Sequence, residues 1–150
     1  MFGYIPLRYE FFLKAAAPEI TVPAPQIALV SETKTDDGRT IKVRVTSPRQ
    51  APAISLFSDS GMDIVSAEIG GKNFPNVAGE RWALNYFALP QDGVEISLHT
   101  KSGAVKIKAV DQSYELPVFP DHSFAARPNF LIPKPLTYSD STVVSKTFTF

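Results

Sequence analysis

Side chains able to do chemistry are few in this chain, and they are scattered. His99 and His122 are its only two imidazoles. Neither stands in an HExxH or HxH spacing that would aim two nitrogens at one ion, so they read as a solvent-facing strand residue and a loop residue. The neighbouring acids Asp36 and Asp37, and the pair Asp59 and Asp63, lie beside glycines but lack the dense oxygen-ligand spacing of a calcium loop; turn formation accounts for them. No serine stands in a GxSxG elbow. Gly70 and Gly71 are followed by Lys72 and Asn73 without the strand-to-helix context of a phosphate cradle. Cysteine is absent, which removes disulfides, thiolate metal sites and thiol catalysis. These residues predict no catalytic, cofactor-binding or metal-binding site, and no cofactor, in this chain.

Polar side chains gather most closely at residues 110–117, VDQSYELP, where Asp111, Gln112, Ser113 and Tyr114 stand between an alternating apolar run and a proline. The structural reading is a corner. Asp111 and Ser113 would cap a turn on nearby backbone N–H groups, while Tyr114 buries its ring and satisfies its hydroxyl on the backbone. The functional alternative has Asp111, Gln112 and Tyr114 facing a partner or substrate. Tyr86, Phe87, Tyr114 and Tyr138 offer a second possibility, an aromatic platform on which sugars stack, although aromatics in strands more often pack in a core.

The elements that must position these side chains are strands. From Gln26 onward the apolar period is two and turn signals recur every eight to twelve residues, the pattern of an all-β sandwich or barrel. Ile27, Leu29 and Ser31 begin it, and Asp36-Asp37-Gly38 turns the chain into Ile41, Val43 and Val45, which alternate with Lys42, Arg44 and Thr46. Pro48 and Pro52 bracket a connection to Ile54 and Leu56, and Asp59-Ser60-Gly61 turns again. Val65, Ala67 and Ile69 run into Gly70-Gly71, a primed two-residue turn leading to Asn73 and Phe74. Residues 81–90, RWALNYFALP, read as a central strand with Trp82, Leu84 and Tyr86 on one face; Trp82, the only tryptophan, is the expected core anchor. Asp92-Gly93 leads into Val94, Ile96 and Leu98, and Lys101-Ser102-Gly103 is expected to close a hairpin onto Val105, Ile107 and Ala109.

Thirteen prolines gather towards the two ends and leave the middle free for strands. Residues 118–138 carry prolines among Phe119, Phe124, Phe130, Leu131 and Ile132, too much apolar area for a disordered segment, so this stretch is expected to lie over one sheet. Residues 141–150, STVVSKTFTF, predict a final strand. The expected architecture is an antiparallel β-sandwich of about eight strands over residues 26–150, with the proline-rich C-terminal segment packed on it. Residues 1–25 form a leader: 1–17 are apolar and aromatic, either packing on the domain or ending a membrane-proximal region, and 18–25 are an extended linker.

At 150 residues the chain suffices for one domain that buries about 70% of its unfolded surface. Fifteen basic and fifteen acidic residues cancel without blocks of like sign, which sets aside nucleic acid and anionic membranes as partners. No run reaches the roughly 18 apolar residues of a membrane-spanning helix.

Four stretches, VRVTSPR (43–49), RWALNYFALP (81–90), VDQSYELP (110–117) and SDSTVVSKTFTF (139–150), together resemble the C-terminal extracytoplasmic domain of multi-pass membrane di-zinc metallopeptidases of the aminopeptidase Y-like family, relatives of the endoplasmic-reticulum metallopeptidase and the vacuolar membrane protease. The resemblance spans residues 27–150 in order and spacing. It implies a parent protein whose peptidase domain binds two zinc ions through His, Asp and Glu, followed by membrane spans and then this β-domain. None of those ligands or catalytic acids has a counterpart here. The resemblance therefore implies a non-catalytic, tethered, extracytoplasmic accessory domain whose partners are the peptidase domain and membrane spans of the same polypeptide. An independent module binding carbohydrate or protein is the alternative expectation.

Overall fold

The computed structural model describes residues 19–58, 64–76, 81–101, 103–114, 116–119, 128–131 and 141–150. These hold nine strands in two antiparallel sheets: β1 (Gln26–Thr35), β2 (Gly38–Thr46), β3 (Ala53–Ser58), β4 (Ile64–Ile69), β5 (Lys72–Pro75), β6 (Ala83–Phe87), β7 (Val94–Thr100), β8 (Lys106–Ser113) and β9 (Thr142–Thr149). One sheet has the order β1-β2-β7-β4-β5 and the other β6-β3-β8-β9. Without β5 and β6, this spatial order is the ABED and CFG arrangement of an immunoglobulin-type sandwich, an architecture that hosts many unrelated functions.

Alternation builds the interior. Ile41, Val43 and Val45 of β2 and Ile96 and Leu98 of β7 are fully buried on the inner row of the first sheet. Ile54 and Leu56 of β3 and Ile107 and Ala109 of β8 meet them from the second. Lys42 and Arg44 project from the outer face of β2 and both pair with Glu95, whose carboxyl they hold below its usual pKa, the Lys42 hydrogen bond contributing most. These surface pairs sit in water, where such contacts contribute little to stability.

Glycine is required where two β-strands crowd a turn. Gly93 has φ 82°, and a Cβ there would stand 2.3 Å from the Val45 carbonyl oxygen. Gly71, in the β4–β5 hairpin turn, has φ 76° with open space around it. Gly93→Ala is expected to lower stability by at least about 2 kcal/mol, because strain and a backbone clash add, and Gly71→Ala by only about 1. Urea midpoints of the two variants check this; equal losses would contradict it.

Several sequence expectations change in the folded chain. Residues 81–90 are not a central strand, for among the described residues β6 lies at the edge of its sheet and pairs only with β3. The turn near Gly103 does not close a hairpin: β7 pairs with β2 and β4 while β8 pairs with β3 and β9, so the chain crosses between sheets there. Alternation on both sides of a turn is common to a hairpin and a crossover, since each only requires one dry face. Val65 is not inward, because the register shifts between Ile64 and Ser66 and leaves it half exposed. β1 continues to Thr35, past a similar shift between Leu29 and Ser31. The C-terminal residues 142–149 do form a strand, β9, paired with β8 along its whole length. Residues 1–18, the turn at 59–61 and most of 118–138 lie outside the described residues, and with them the expected packing of the proline-rich segment.

Candidate functional site

The polar cluster at 110–114 is built from three separate parts of the chain. β8 does not end at Val110; it continues through Ser113 because β9 offers a full ladder, with Asp111 opposite Val144 and Ser113 opposite Thr142. In this register Asp111 falls on the same inner row as Ile107 and Ala109, and it is fully buried. A carboxylate taken out of water needs partners. Those come from the connection between β2 and β3, where the chain passes from one sheet to the other. The Ser47 hydroxyl donates to Asp111 Oδ2 at 2.5 Å, and Arg49 Nη2 donates to Asp111 Oδ1 at 2.5 Å.

The Arg49 guanidinium then links the β2–β3 connection to two strands, β8 and β9. Its Nη1 donates to Ser113 Oγ at 2.7 Å, and its Nη2 also approaches the Thr142 carbonyl at 3.5 Å, at the start of β9. Its side chain is only 11% exposed. Ser47 fixes the connection itself: its hydroxyl accepts from the Ala51 N–H at 3.2 Å and its carbonyl accepts from the Gln50 N–H at 2.9 Å, with Gln50 at φ 54°. One buried charge pair thus joins a crossover, β8 and the entry to β9.

The sequence had placed Asp111 and Ser113 as turn caps, and this is corrected. Asp111 accepts from side chains distant in sequence rather than from local backbone, because a strand offers no turn of free N–H groups to cap. Tyr114 does not bury its ring; it is 42% exposed just beyond β8. Gln112 lies half-buried on the opposite face of β8 from Asp111, in register with Val143 and Ala53. Asp111, Gln112 and Tyr114 therefore do not converge on one surface. Arg49 and Ser47, not singled out by sequence reasoning, are the missing members. A lone Ser-Pro-Arg in a connection carries no signal until its long-range partner is known.

Trp82 immediately precedes β6, 4% exposed within the core cluster, and its carbonyl accepts from the Ser58 N–H at 3.0 Å. Tyr86 lies on the same inner row, packed on the core, while Phe87 points outward. The proposed sugar platform is not assembled from these two, which face opposite sides of the sheet; Tyr138 lies outside the described residues.

His99 sits on the outer face of β7, half-buried, with Nδ1 2.9 Å from Thr40 Oγ1 on the adjacent strand. Asp63 and His122 are outside the described residues, among which no three His, Asp or Glu side chains come together as a metal ligand set.

A depression of about 550 Å³ opens at one end of the sandwich between the β1–β2 hairpin and the crossover after β7, lined by Glu32, Lys34, Arg39, Lys101 and Phe150 among others. Its guanidinium is already engaged. Arg39 Nη1 donates to Glu32 Oε1 at 2.8 Å, and Nη2 donates to the carbonyls of Gly103 at 2.6 Å and Phe150 at 2.9 Å. Arg39 thus clasps the crossover and the end of β9 to β2. Val105 and Phe150 exchange two backbone hydrogen bonds at 2.9 Å beneath it.

Comparison with models of protein families, with curated proteins and with solved structures found no match to this chain.

Proposed function

We propose that this chain is the non-catalytic β-domain of a larger membrane-bound zinc exopeptidase of the aminopeptidase Y-like kind. There it stabilises or orients the peptidase domain, or gates the access of peptides to it, on the extracytoplasmic side of the membrane. The two zinc ions belong to that peptidase domain, and no side chain of this domain is assigned to them.

The observation that supports the reading is where the resembling stretches meet. Ser47 and Arg49 come from VRVTSPR, Asp111 and Ser113 from VDQSYELP, and Thr142 from SDSTVVSKTFTF, and they converge on one buried ion pair. A resemblance concentrated on residues that lock a fold, and not on nucleophiles or metal ligands, suits a domain whose contribution is shape and attachment.

The test begins with the coding sequence upstream of Met1. The expected finding is an open frame that encodes membrane spans preceded by a peptidase domain rich in His, Asp and Glu ligands. Deleting residues 26–150 from that protein is then expected to lower its folded yield or its peptide cleavage at least several-fold. An upstream stop codon in frame, or a deletion that leaves yield and cleavage unchanged, would overturn the proposal.

A further inference from the structure

A sandwich leaves strands at its sheet edges, and each edge exposes backbone donors and acceptors to any chain able to pair with them. Three of the edges here carry features that oppose such pairing. β1 has the register shift between Leu29 and Ser31 and the exposed charges of Glu32 and Lys34. β5 has Lys72 and Pro75 within four residues. β9 carries Lys146 on the inner row opposite Ala109, with its ammonium 5.2 Å from the Phe148 ring centroid. β6 differs. Its five residues, ALNYF, hold no charge, no proline and no register shift, and its outer edge has no strand partner among the described residues.

The ladder fixes which groups β6 offers. The Ser58 N–H bonds to the Trp82 carbonyl, and Ser58 and Trp82 continue the register that sets Phe57 opposite Ala83. In an antiparallel pair hydrogen-bonded and non-bonded positions alternate, so Leu84 and Tyr86 direct their backbone groups at β3. Ala83, Asn85 and Phe87 therefore direct their N–H and C=O groups outward, away from the sheet.

That edge is complementary to itself. A two-fold axis through Asn85 sets Asn85 opposite Asn85 of a second copy and Ala83 opposite Phe87, so all three outward residues on each strand fall at hydrogen-bonded positions. On the outer face the large, 73% exposed Phe87 meets the small Ala83 of the other copy. On the inner face Leu84 meets Tyr86, two side chains already packed on the core cluster. No like charges oppose each other in this register, and Arg81 falls opposite Leu89.

We propose that β6 is a homotypic docking edge: two copies of this chain pair antiparallel through residues 83–87 and join their four-stranded sheets into one continuous sheet. The proposal is independent of the peptidase reading, and either can fail without the other. The contact is small, so it forms a reversible dimer dissociating in the micromolar to millimolar range, at the weak end of specific interfaces.

Sedimentation velocity of the full chain from about 1 µM to about 1 mM spans that range. The expected result is a monomer–dimer equilibrium. Asn85→Pro removes the outward N–H and the Ser55 Oγ bond to Asn85 Oδ1 but leaves the backbone ladder to β3, while Asn85→Lys sets two ammonium groups across the axis; each is expected to weaken dimerisation by at least about tenfold. Ala83→Glu and Phe87→Lys are each expected to weaken it alone, and together to restore it through a salt bridge across copies that only this register permits. Far-ultraviolet circular dichroism and thermal melting identify folded variants, and the charged pair serves if the proline variant is not folded. A monomer throughout, a dimer indifferent to all of these substitutions, or failure of the paired charges to restore it would overturn the proposal.

Discussion

Asp111→Ala is expected to lower the unfolding free energy by about 3–5 kcal/mol, with a fall in Tm on the order of 10 °C. Asp111 is fully buried and the Arg49 side chain is 11% exposed, so removal of the carboxylate strands a guanidinium that cannot reach bulk water without opening the crossover. It also leaves the Ser47 hydroxyl without its acceptor. The loss measures the cost of an orphaned charge, not the net value of the pair, and a second variant separates the two. Replacing both partners, as in Arg49→Met with Asp111→Leu, is expected to recover most of the stability, since a buried pair often does no better than apolar side chains of similar volume. Chemical denaturation of the single and double variants checks this. If Asp111→Ala melts like the parent, the carboxylate is not holding the fold and its burial must serve some other purpose.

The same variant has a local signature. Arg49 links Asp111 to Ser113 and to the Thr142 carbonyl, so the entry to β9 is expected to lose hydrogen-exchange protection before the β2–β7 centre of the other sheet does.

Trp82→Ala is expected to cost about 3–5 kcal/mol as well, for a different reason. Its side chain is 4% exposed and belongs to the cluster formed by both sheets, at the point where the chain enters an edge strand that pairs with β3 alone among the described strands. Truncation leaves a cavity that the rigid inner rows of β2, β3, β7 and β8 close only in part. Trp82→Phe is expected to retain more than half of the lost stability. Because this is the only tryptophan, its fluorescence reports core packing directly, and a solvent-exposed emission spectrum in the native state would contradict the assignment.

Neither residue is assigned a part in a reaction. Both losses should appear as stability, while dimerisation through β6 should respond to Asn85 and not to Asp111 so long as the variant remains folded.

How much of this was legible beforehand differs from element to element. The rows Ile41, Val43, Val45 and Val94, Ile96, Leu98 were readable because a strand with one dry face must alternate, and the structure places them inward with the last row's Val94 half-buried. The β1–β2 and β4–β5 hairpins were readable from Asp36-Asp37-Gly38 and Gly70-Gly71, because positive φ or a tight reversal restricts residue choice locally. Trp82 was readable as core from its size alone.

Partner choice was not. Whether the turn near Gly103 closes a hairpin or crosses between sheets depends on which ladder β8 joins, and local chemistry is the same in both cases. The edge position of β6 was hidden for the same reason, since an aromatic, β-prone run suits the middle and the edge of a sheet alike. Asp111 shows the limit most directly. Its place in a polar run between a strand and a proline suggested a turn, but its partners Ser47 and Arg49 stand more than sixty residues away.

By itself, then, the sequence determined the all-β class, the dry rows, the tight turns and the absence of thiol chemistry, because each rests on a residue and its near neighbours. Tertiary structure alone decided which strands share a sheet, which of the described strands lies at an edge and where the buried charge finds its counterion. Those outcomes come from contacts whose entropic cost is met only when the whole sandwich forms.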